Sequence, residues 1–389
     1  MQYRPFGNLG WKVSALGFGC MRLPTIDNDE NSANINEKET TKMLHYAIEH
    51  GLNYVDTAYP YHAGASETSL GKILQGEYRQ KVKLATKFPT WQLESTADFD
   101  KYLNEQLQKL QTDHIDFYLF HTLKAATWRK VCDLNVLACA EKARQDGRIG
   151  HLGFSTHEDF PTFQSFVDGY DGWEFCQFQY NYMDIDNQVG MKGLKYAAAR
   201  GLAVVVMEPL LGGKLVNLPP PVTDLWKASK VHRSPADLAL QWLWNQPEVS
   251  VVLSGMSSLR QVQENIASAE QSGVNRLRPD EQAFIDQIRG RFAALNPIPC
   301  TGCGYCLPCP NGVEIARVFH FYNEGIIYND PKRARFWYKI LLTADKRASA
   351  CIQCQECEEK CPQHIPISEW MPRVQQVLEH EQPYPDSDN

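Results

Sequence analysis

Eight of the 12 cysteines in this 389-residue chain sit in two short runs. The first is Cys300-Thr-Gly-Cys303-Gly-Tyr-Cys306-Leu-Pro-Cys309-Pro310; the second is Cys351-Ile-Gln-Cys354-Gln-Glu-Cys357-Glu-Glu-Lys-Cys361-Pro362. Thiolates are soft metal ligands, and in a reducing compartment such a dense set reads as a metal site rather than as disulfides. Structural zinc uses paired C-x2-C knuckles separated by a longer loop, and a C-x2-C-x2-C triplet does not divide into such pairs. Three thiolates on one tight loop can instead each reach a different iron of a cubane. The chemistry expected of these eight cysteines is therefore iron–sulfur ligation. The remaining four, Cys20, Cys132, Cys139 and Cys176, are scattered and read as small apolar core residues.

A second set of candidate residues stands at the ends of β-rich runs: Asp56, Lys87, His121, Ser155, Gln177, Glu208 and Ser254. The runs cover residues 15–19, 53–55, 83–86, 115–120, 151–154, 175–177, 203–207 and 249–253. Helical patterns lie between them, such as residues 38–50, 98–110, 128–146 and 236–245. Eight strands alternating with helices predict a (β/α)8 TIM barrel. A hairpin is expected around Gly7-Asn8-Leu9-Gly10, ahead of the first barrel strand. Such a barrel gathers its functional residues at the C-terminal ends of its strands, so the seven polar endings converge on one mouth.

The second cysteine run matches the bacterial ferredoxin pattern of three close thiolates and a fourth followed by proline. In two-cluster ferredoxins that fourth residue ligates the other cluster. The resemblance thus implies one 4Fe-4S cluster on Cys300, Cys303, Cys306 and Cys361, and another on Cys351, Cys354, Cys357 and Cys309. The first run leaves two residues before Cys309 where the pattern has three, so one cluster and two clusters both stay open. Residues 313–350 mix apolar and charged residues without strand alternation and read as helices. That is similar to the α-helical kind of two-cluster, ferredoxin-like domain.

The segment Asn53-Tyr-Val-Asp56-Thr-Ala-Tyr59-Pro-Tyr61, followed by Ser66-Glu67 and Gly71, resembles the second-strand signature of the aldo-keto reductase family. The resemblance covers about residues 1–290 and implies a catalytic tetrad of Asp56, Tyr61, Lys87 and His121. Tyr59 is then a decoy, because the family's acid lies five positions after the aspartate. Reducing a carbonyl by hydride builds an alkoxide that needs a proton and positive potential. Lys87, held by Asp56, is expected to bring the Tyr61 phenol down from its ordinary value near 10. His121 would orient the carbonyl, while His62 is as well placed for a structural role as for lining the pocket.

The Gly17-Phe-Gly19-Cys20-Met21 stretch begins like a dinucleotide fingerprint, but Arg22 stands where the third glycine belongs. The family instead lays NADPH across the barrel mouth. By that resemblance Ser155 and Gln177 bind the carboxamide, with Gly19, Cys20 and Asp56 lining the pocket. Met207 packs on the nicotinamide, Glu208, Leu210 and Gly212 cover the pyrophosphate, and Ser254, Gly255, Glu264 and Asn265 meet the adenosine. NADPH rather than NADH is a family expectation, with Arg260 the candidate for the 2′-phosphate. Aromatic residues Phe88, Trp91 and Tyr180 are expected in the loops of the mouth.

The chain is thus expected to be an NAD(P)H-dependent oxidoreductase acting on a small carbonyl or alcohol, with clusters for electron relay. A ferredoxin or other redox protein is the partner that relay implies. Two alternatives are a carbonyl reductase with structural or redox-sensing clusters, and a non-catalytic electron-transfer module. A hydride carries two electrons and each cluster one, so relay calls for a flavin between them, and no flavin motif is found. Asn296-Pro-Ile-Pro299 is a poor helix or strand interior and divides a barrel domain, residues 1–295, from a ferredoxin-type domain, residues 296–389. A net charge of −7 argues against a nucleic-acid partner. The most apolar stretch, residues 202–211, is far short of the roughly 20 residues that span a bilayer. The first ten residues carry no apolar targeting core, so a cytoplasmic location is expected.

Overall fold

The computed structural model describes residues 1–29, 32–300 and 302–384 and resolves into two units. The first comprises Met1–Val216 and His232–Pro279, the second Asn217–Val231 and Asp280–Asn389.

The first unit opens with a hairpin of β1 (Tyr3–Pro5) and β2 (Lys12–Ser14), as the glycine pair at 7 and 10 predicts. Eight strands follow: β3 (Leu16–Gly19), β4 (Tyr54–Asp56), β5 (Lys83–Pro89), β6 (Ile115–His121), β7 (Ile149–Thr156), β8 (Phe175–Gln179), β9 (Ala203–Met207) and β10 (Val249–Ser254). They close into a barrel in the order β10-β3-β4-β5-β6-β7-β8-β9, every pair parallel. All eight predicted runs are strands. Because side chains alternate along a strand, one set fills the interior and the next packs against the helices. Tyr54, Phe117, Leu119, Phe175, Val205, Val251 and Leu253 form the inner core, and Phe6 of the hairpin plugs it from below.

The plug requires glycine at position 7. Its φ is +53°, and a Cβ there would lie 2.6 Å from the Ala203 nitrogen and 2.7 Å from the Gly201 carbonyl oxygen. Both obstacles are backbone and cannot swing aside. Gly7→Ala is expected to cost about 2 kcal/mol or more, read as a lower Tm and urea midpoint.

The predicted helix over residues 128–146 is two helices, Ala125–Asp133 and Val136–Gln145. Asn135 breaks it by taking a left-handed conformation at φ +51°, which asparagine tolerates better than most residues. Cys132 faces outward on the first of these helices and is exposed, and Cys139 is half-buried. Only Cys20 and Cys176 of the scattered four are the core residues expected.

The second unit is helical. Ile315–Ile327 and Pro331–Leu341 form the helices predicted between the cysteine runs, and Ile367–Leu378 packs with them. Their apolar faces, including Val318, Phe319, Tyr338, Met371 and Val374, make a core of their own. Asp330 caps the second helix by accepting from the Arg333 N–H, with Pro331 in its first turn. Asn323 fastens the proline-rich stretch to this core: its amide donates to the Ile298 carbonyl at 2.7 Å and its oxygen accepts from the Ile298 N–H at 3.0 Å. No described helix is long and apolar enough to cross a membrane.

Candidate active site and metal centre

β4 and β5 bring Asp56 and Lys87 into the barrel interior, one step above the Tyr54 and Ala85 layer. Lys87 Nζ lies 2.6 Å from Asp56 Oδ1 and also donates to the Thr57 carbonyl at 2.5 Å, with both side chains buried. Burial opposes the ammonium, but Asp56 and Tyr61 outweigh it and hold the lysine above its ordinary value. Tyr61 follows β4 on a tight turn in which His62, Ala63 and Gly64 are all left-handed. This turn swings its ring to 5.1 Å from Lys87 Nζ and edge-on to His121, with centroids 6.0 Å apart.

The tetrad is thus assembled, with one difference from expectation. Lys87 pulls the Tyr61 phenol down, yet burial is the larger effect and the net shift is upward. The residue is a phenol that keeps its proton. His121 sits well below its ordinary value, from burial first and then the Lys87 charge, and is a neutral imidazole. Its Nδ1 is buried without a protein partner, as is Asp56 Oδ2.

Tyr59, the decoy, points away: its hydroxyl donates to Glu105 at 3.1 Å. His62 is structural. Its Nε2 accepts from the Leu23 N–H at 3.2 Å and its Nδ1 donates to the Ser32 carbonyl at 3.1 Å. Of the three loop aromatics, only Trp91 reaches the site, 5.2 Å from the His121 ring. Phe88 points outward from β5 against Phe99, and Tyr180 is buried against Trp242, so neither lines the mouth.

The residues assigned to a nicotinamide cofactor line several strand ends. Ser155 on β7 accepts from the Thr122 N–H at 2.9 Å. Gln177 on β8 lies 3.8 Å from the Met207 sulfur, and its Oε1 is buried without a protein partner. A buried acceptor of this kind suits an amide N–H, which is what a carboxamide offers. Gly19 and buried Cys20 close β3, where burial and Asp56 push the thiol well up. After β9, Glu208 is left-handed and, past Leu210, so are Leu211, Gly212 and Gly213 in succession. Ser254 turns outward, its hydroxyl accepting from buried Asn265 at 3.0 Å. Exposed Glu264 pairs with Arg260 at 3.6 Å.

Two basic residues here escaped the sequence reading. Arg22 packs its Cβ and Cγ against Gly255, and its charge reaches Tyr61. Lys214 is buried in the loop after β9. A cation placed just after a barrel strand was the signal available for each.

The eight clustered cysteines fall into two cavities. Cys300, Cys303, Cys306 and Cys361 line one, together with Ile315, Phe319, Ile365 and Ile367. Cys309, Cys351, Cys354 and Cys357 line the other, with Val313, Ile315 and Ser368. Each run gives three residues to one cavity and its fourth to the other, the exchange that the ferredoxin resemblance implied. The two loops share a backbone pattern as well. Gly302 and Gly304 flank Cys303 at φ +71° and +77°, and Gln353 and Gln355 flank Cys354 at φ +57° and +66°. The left-handed residues turn each loop tightly about its cavity, and the Gln353 N–H points to Cys351 Sγ at 3.4 Å. Four soft thiol donors around an apolar hollow fit a 4Fe-4S cluster.

Residues 15–289 match the aldo/keto reductase family. The chain belongs to that family. Residues 299–365 match the 4Fe-4S dicluster domain, so this aldo/keto reductase also carries that domain. It is similar to L-galactose dehydrogenase of Arabidopsis thaliana, 28% identical over 69% of this chain and 88% of that protein. A probable aldo-keto reductase of Glycine max is 26% identical over 67% of this chain and 82% of its own length. Among solved structures, the holo form of an aldo-keto reductase from Bacillus halodurans superposes with a TM-score of 0.61. It shares 27% identity and covers 74% of this chain and 96% of its own. The family's members are oxidoreductases that use NAD(P)H, and this chain is an oxidoreductase with a (β/α)8 barrel.

Proposed function

We propose that this enzyme reduces a carbonyl by hydride transfer with Tyr61 as the proton donor, or oxidises the matching alcohol with the Tyr61 phenolate taking the proton. The observation that carries this reading is the buried Asp56–Lys87 pair at 2.6 Å, with the Tyr61 ring 5.1 Å from Lys87 Nζ and edge-on to His121. Bound NADPH, or NADH, would supply the hydride. Tyr61 gives its proton to the carbonyl oxygen as negative charge builds there. Lys87 stabilises the phenolate left behind, and Asp56 keeps Lys87 charged. His121 offers an N–H that orients the same oxygen, while Trp91 covers the apolar side of the substrate. Ser155 and Gln177 hold the carboxamide, Met207 packs on the ring, and Gly19 and Cys20 close the pocket beneath it. Glu208, Leu210 and Gly212 lie over the pyrophosphate, and Ser254, Gly255, Glu264 and Asn265 form the adenosine end. The preference for NADPH rests on the family, with Arg260 at the 2′-phosphate.

The cysteine cavities hold two 4Fe-4S clusters in this reading, one on Cys300, Cys303, Cys306 and Cys361, the other on Cys309, Cys351, Cys354 and Cys357. Such clusters supply one-electron storage. Cys303 and Cys354 are exposed, with exposed Tyr305, Leu307 and Ile352 beside the ligands, which supports relay to a docked ferredoxin or other redox protein. A hydride carries two electrons, so exchange with nicotinamide calls for a flavin-type mediator brought by that partner. A cytoplasmic location keeps the thiols reduced for cluster assembly.

Titrating anaerobic protein with NADPH, with an aldehyde panel and nicotinamide fluorescence alongside, tests both halves. Turnover is the expected result, with the cluster absorbance bleaching at a competent rate once free flavin is added as mediator. Full reductase activity in a Cys354→Ser variant would sink relay and leave structural or sensing clusters. Neither binding nor turnover would overturn the enzymatic reading.

A further inference from the structure

We propose that Gln106, outside the barrel on helix Ala97–Leu110, is a positioning residue for the Lys87 ammonium and acts through the Lys87 main chain. The inference rests on the reductase reading above and concerns a buried polar group that the reading does not use.

The reason lies in the shortness of β4. That strand pairs with β5 only as far as Asp56 opposite Ala85, and the last bond of the ladder runs from the Thr57 N–H to the Ala85 carbonyl at 2.9 Å. Carbonyls two residues apart on a strand face the same edge. The Lys87 carbonyl therefore faces the β4 side after β4 has ended, where a buried acceptor without a partner is costly. Gln106 Nε2 supplies the missing donor at 3.0 Å.

Gln106 is itself held from three sides. Its amide also donates to Glu67 Oε1 at 2.6 Å and approaches Thr86 Oγ1 at 3.2 Å, and its own oxygen accepts from the Tyr118 hydroxyl at 2.6 Å. Thr86 Oγ1 donates to the same Glu67 oxygen at 2.6 Å. Glu67, Thr86, Gln106 and Tyr118 are all fully buried. Four buried polar side chains converge on the residue pair Thr86–Lys87, with the Lys87 side chain on the opposite face of the strand reaching Asp56 and Tyr61. A network that fixes the main chain there fixes the point from which the ammonium is presented, and near-attack geometry is sensitive to displacements of about 1 Å. Glu67, singled out in the sequence only as part of a family signature, acquires a physical role as the anchor of the amide.

The test compares Gln106→Met with Tyr118→Phe in the full chain. Q106M keeps the length and removes the donor to Lys87; Y118F removes a hydrogen bond from the same network but leaves that donor. Titration of the Tyr61 phenol, followed by ultraviolet difference against Tyr61→Phe, reports how closely Lys87 approaches and requires no turnover. In Q106M the titration is expected to move up by about half a pH unit or more as the ammonium withdraws. kcat should fall roughly tenfold with KM nearly unchanged. In Y118F neither should move, although thermal stability falls. Where Q106M does not fold, Gln106→Asn, one methylene short of the carbonyl, serves with the same expectation. An unmoved phenol titration in the Gln106 variant, or an equal shift in Y118F, overturns the proposal. Failure of the reductase reading would appear separately, as absence of nicotinamide turnover in the unaltered protein.

Discussion

Tyr61→Phe is expected to lower carbonyl reduction by roughly 10²–10⁴-fold, about 3–5 kcal/mol of barrier, while nicotinamide binding and iron content stay unchanged. The substitution is clean because phenylalanine keeps the ring that meets His121 edge-on and lies beside Lys87 Nζ. Only the hydroxyl, and with it the proton, is lost. The pH profile should change in a defined direction. Reduction needs Tyr61 protonated, and burial holds its phenol above the ordinary value against the pull of Lys87. In the unaltered enzyme the rate is therefore flat through neutral pH and falls only as pH rises through that raised pKa; Y61F should lose this alkaline limb. Steady-state kinetics over pH 6 to 11 would show both effects. Lys87→Met is a poorer probe, because it strands Asp56 in a dry interior without its cation. Breaking such a buried pair costs about 3–5 kcal/mol of stability, so lost activity would be mixed with lost fold. Near-normal turnover in Y61F would show that the proton comes from elsewhere.

The barrel was legible because each of its strands is a short apolar run, seven of the eight with a polar residue at or beside the end, and that local pattern needs no tertiary knowledge. The tetrad was legible for the same reason, since Asp56, Lys87 and His121 each lie at or near the end of a strand. What the sequence could not carry depends on geometry between distant residues. Gln106 matters because β4 stops at Asp56, a length that the apolar pattern around Val55 does not specify. Phe88 and Tyr180 looked like pocket aromatics, but the period of two turns Phe88 outward, and Trp242 covers Tyr180. The net direction of the Tyr61 shift required knowing that burial exceeds the lysine's pull. Residues 217–231 belong to the second unit although they interrupt the barrel sequence, with Trp226 packed on Phe284 at 5.1 Å. Three consecutive prolines, Pro219–Pro221, open that excursion but do not say which core it joins.

Cys309→Ser and Cys361→Ser are expected each to empty the cavity of the opposite run. Cys309 shares its cavity with Cys351, Cys354 and Cys357, and Cys361 shares its own with Cys300, Cys303 and Cys306. In C309S, anaerobic alkylation followed by mass spectrometry should label Cys351, Cys354 and Cys357 and spare the other four. C361S should give the reverse, and iron should fall by about half in both. If ligands were not exchanged, C309S would instead expose Cys300, Cys303 and Cys306, which would sink the assignment of both centres. A single-cluster protein would show one of the two variants with unchanged iron. The energetic consequence is also large, because metal binding to a site absent from the unfolded chain adds directly to folding free energy. Ile315 lines both cavities and Phe319 lines the first, and both belong to the helical core. Losing either centre therefore removes packing from helix Ile315–Ile327, and the second unit should unfold earlier in both variants. The barrel has its own core of Tyr54, Phe117, Phe175 and Val251, so Tyr61-dependent turnover should outlast that transition.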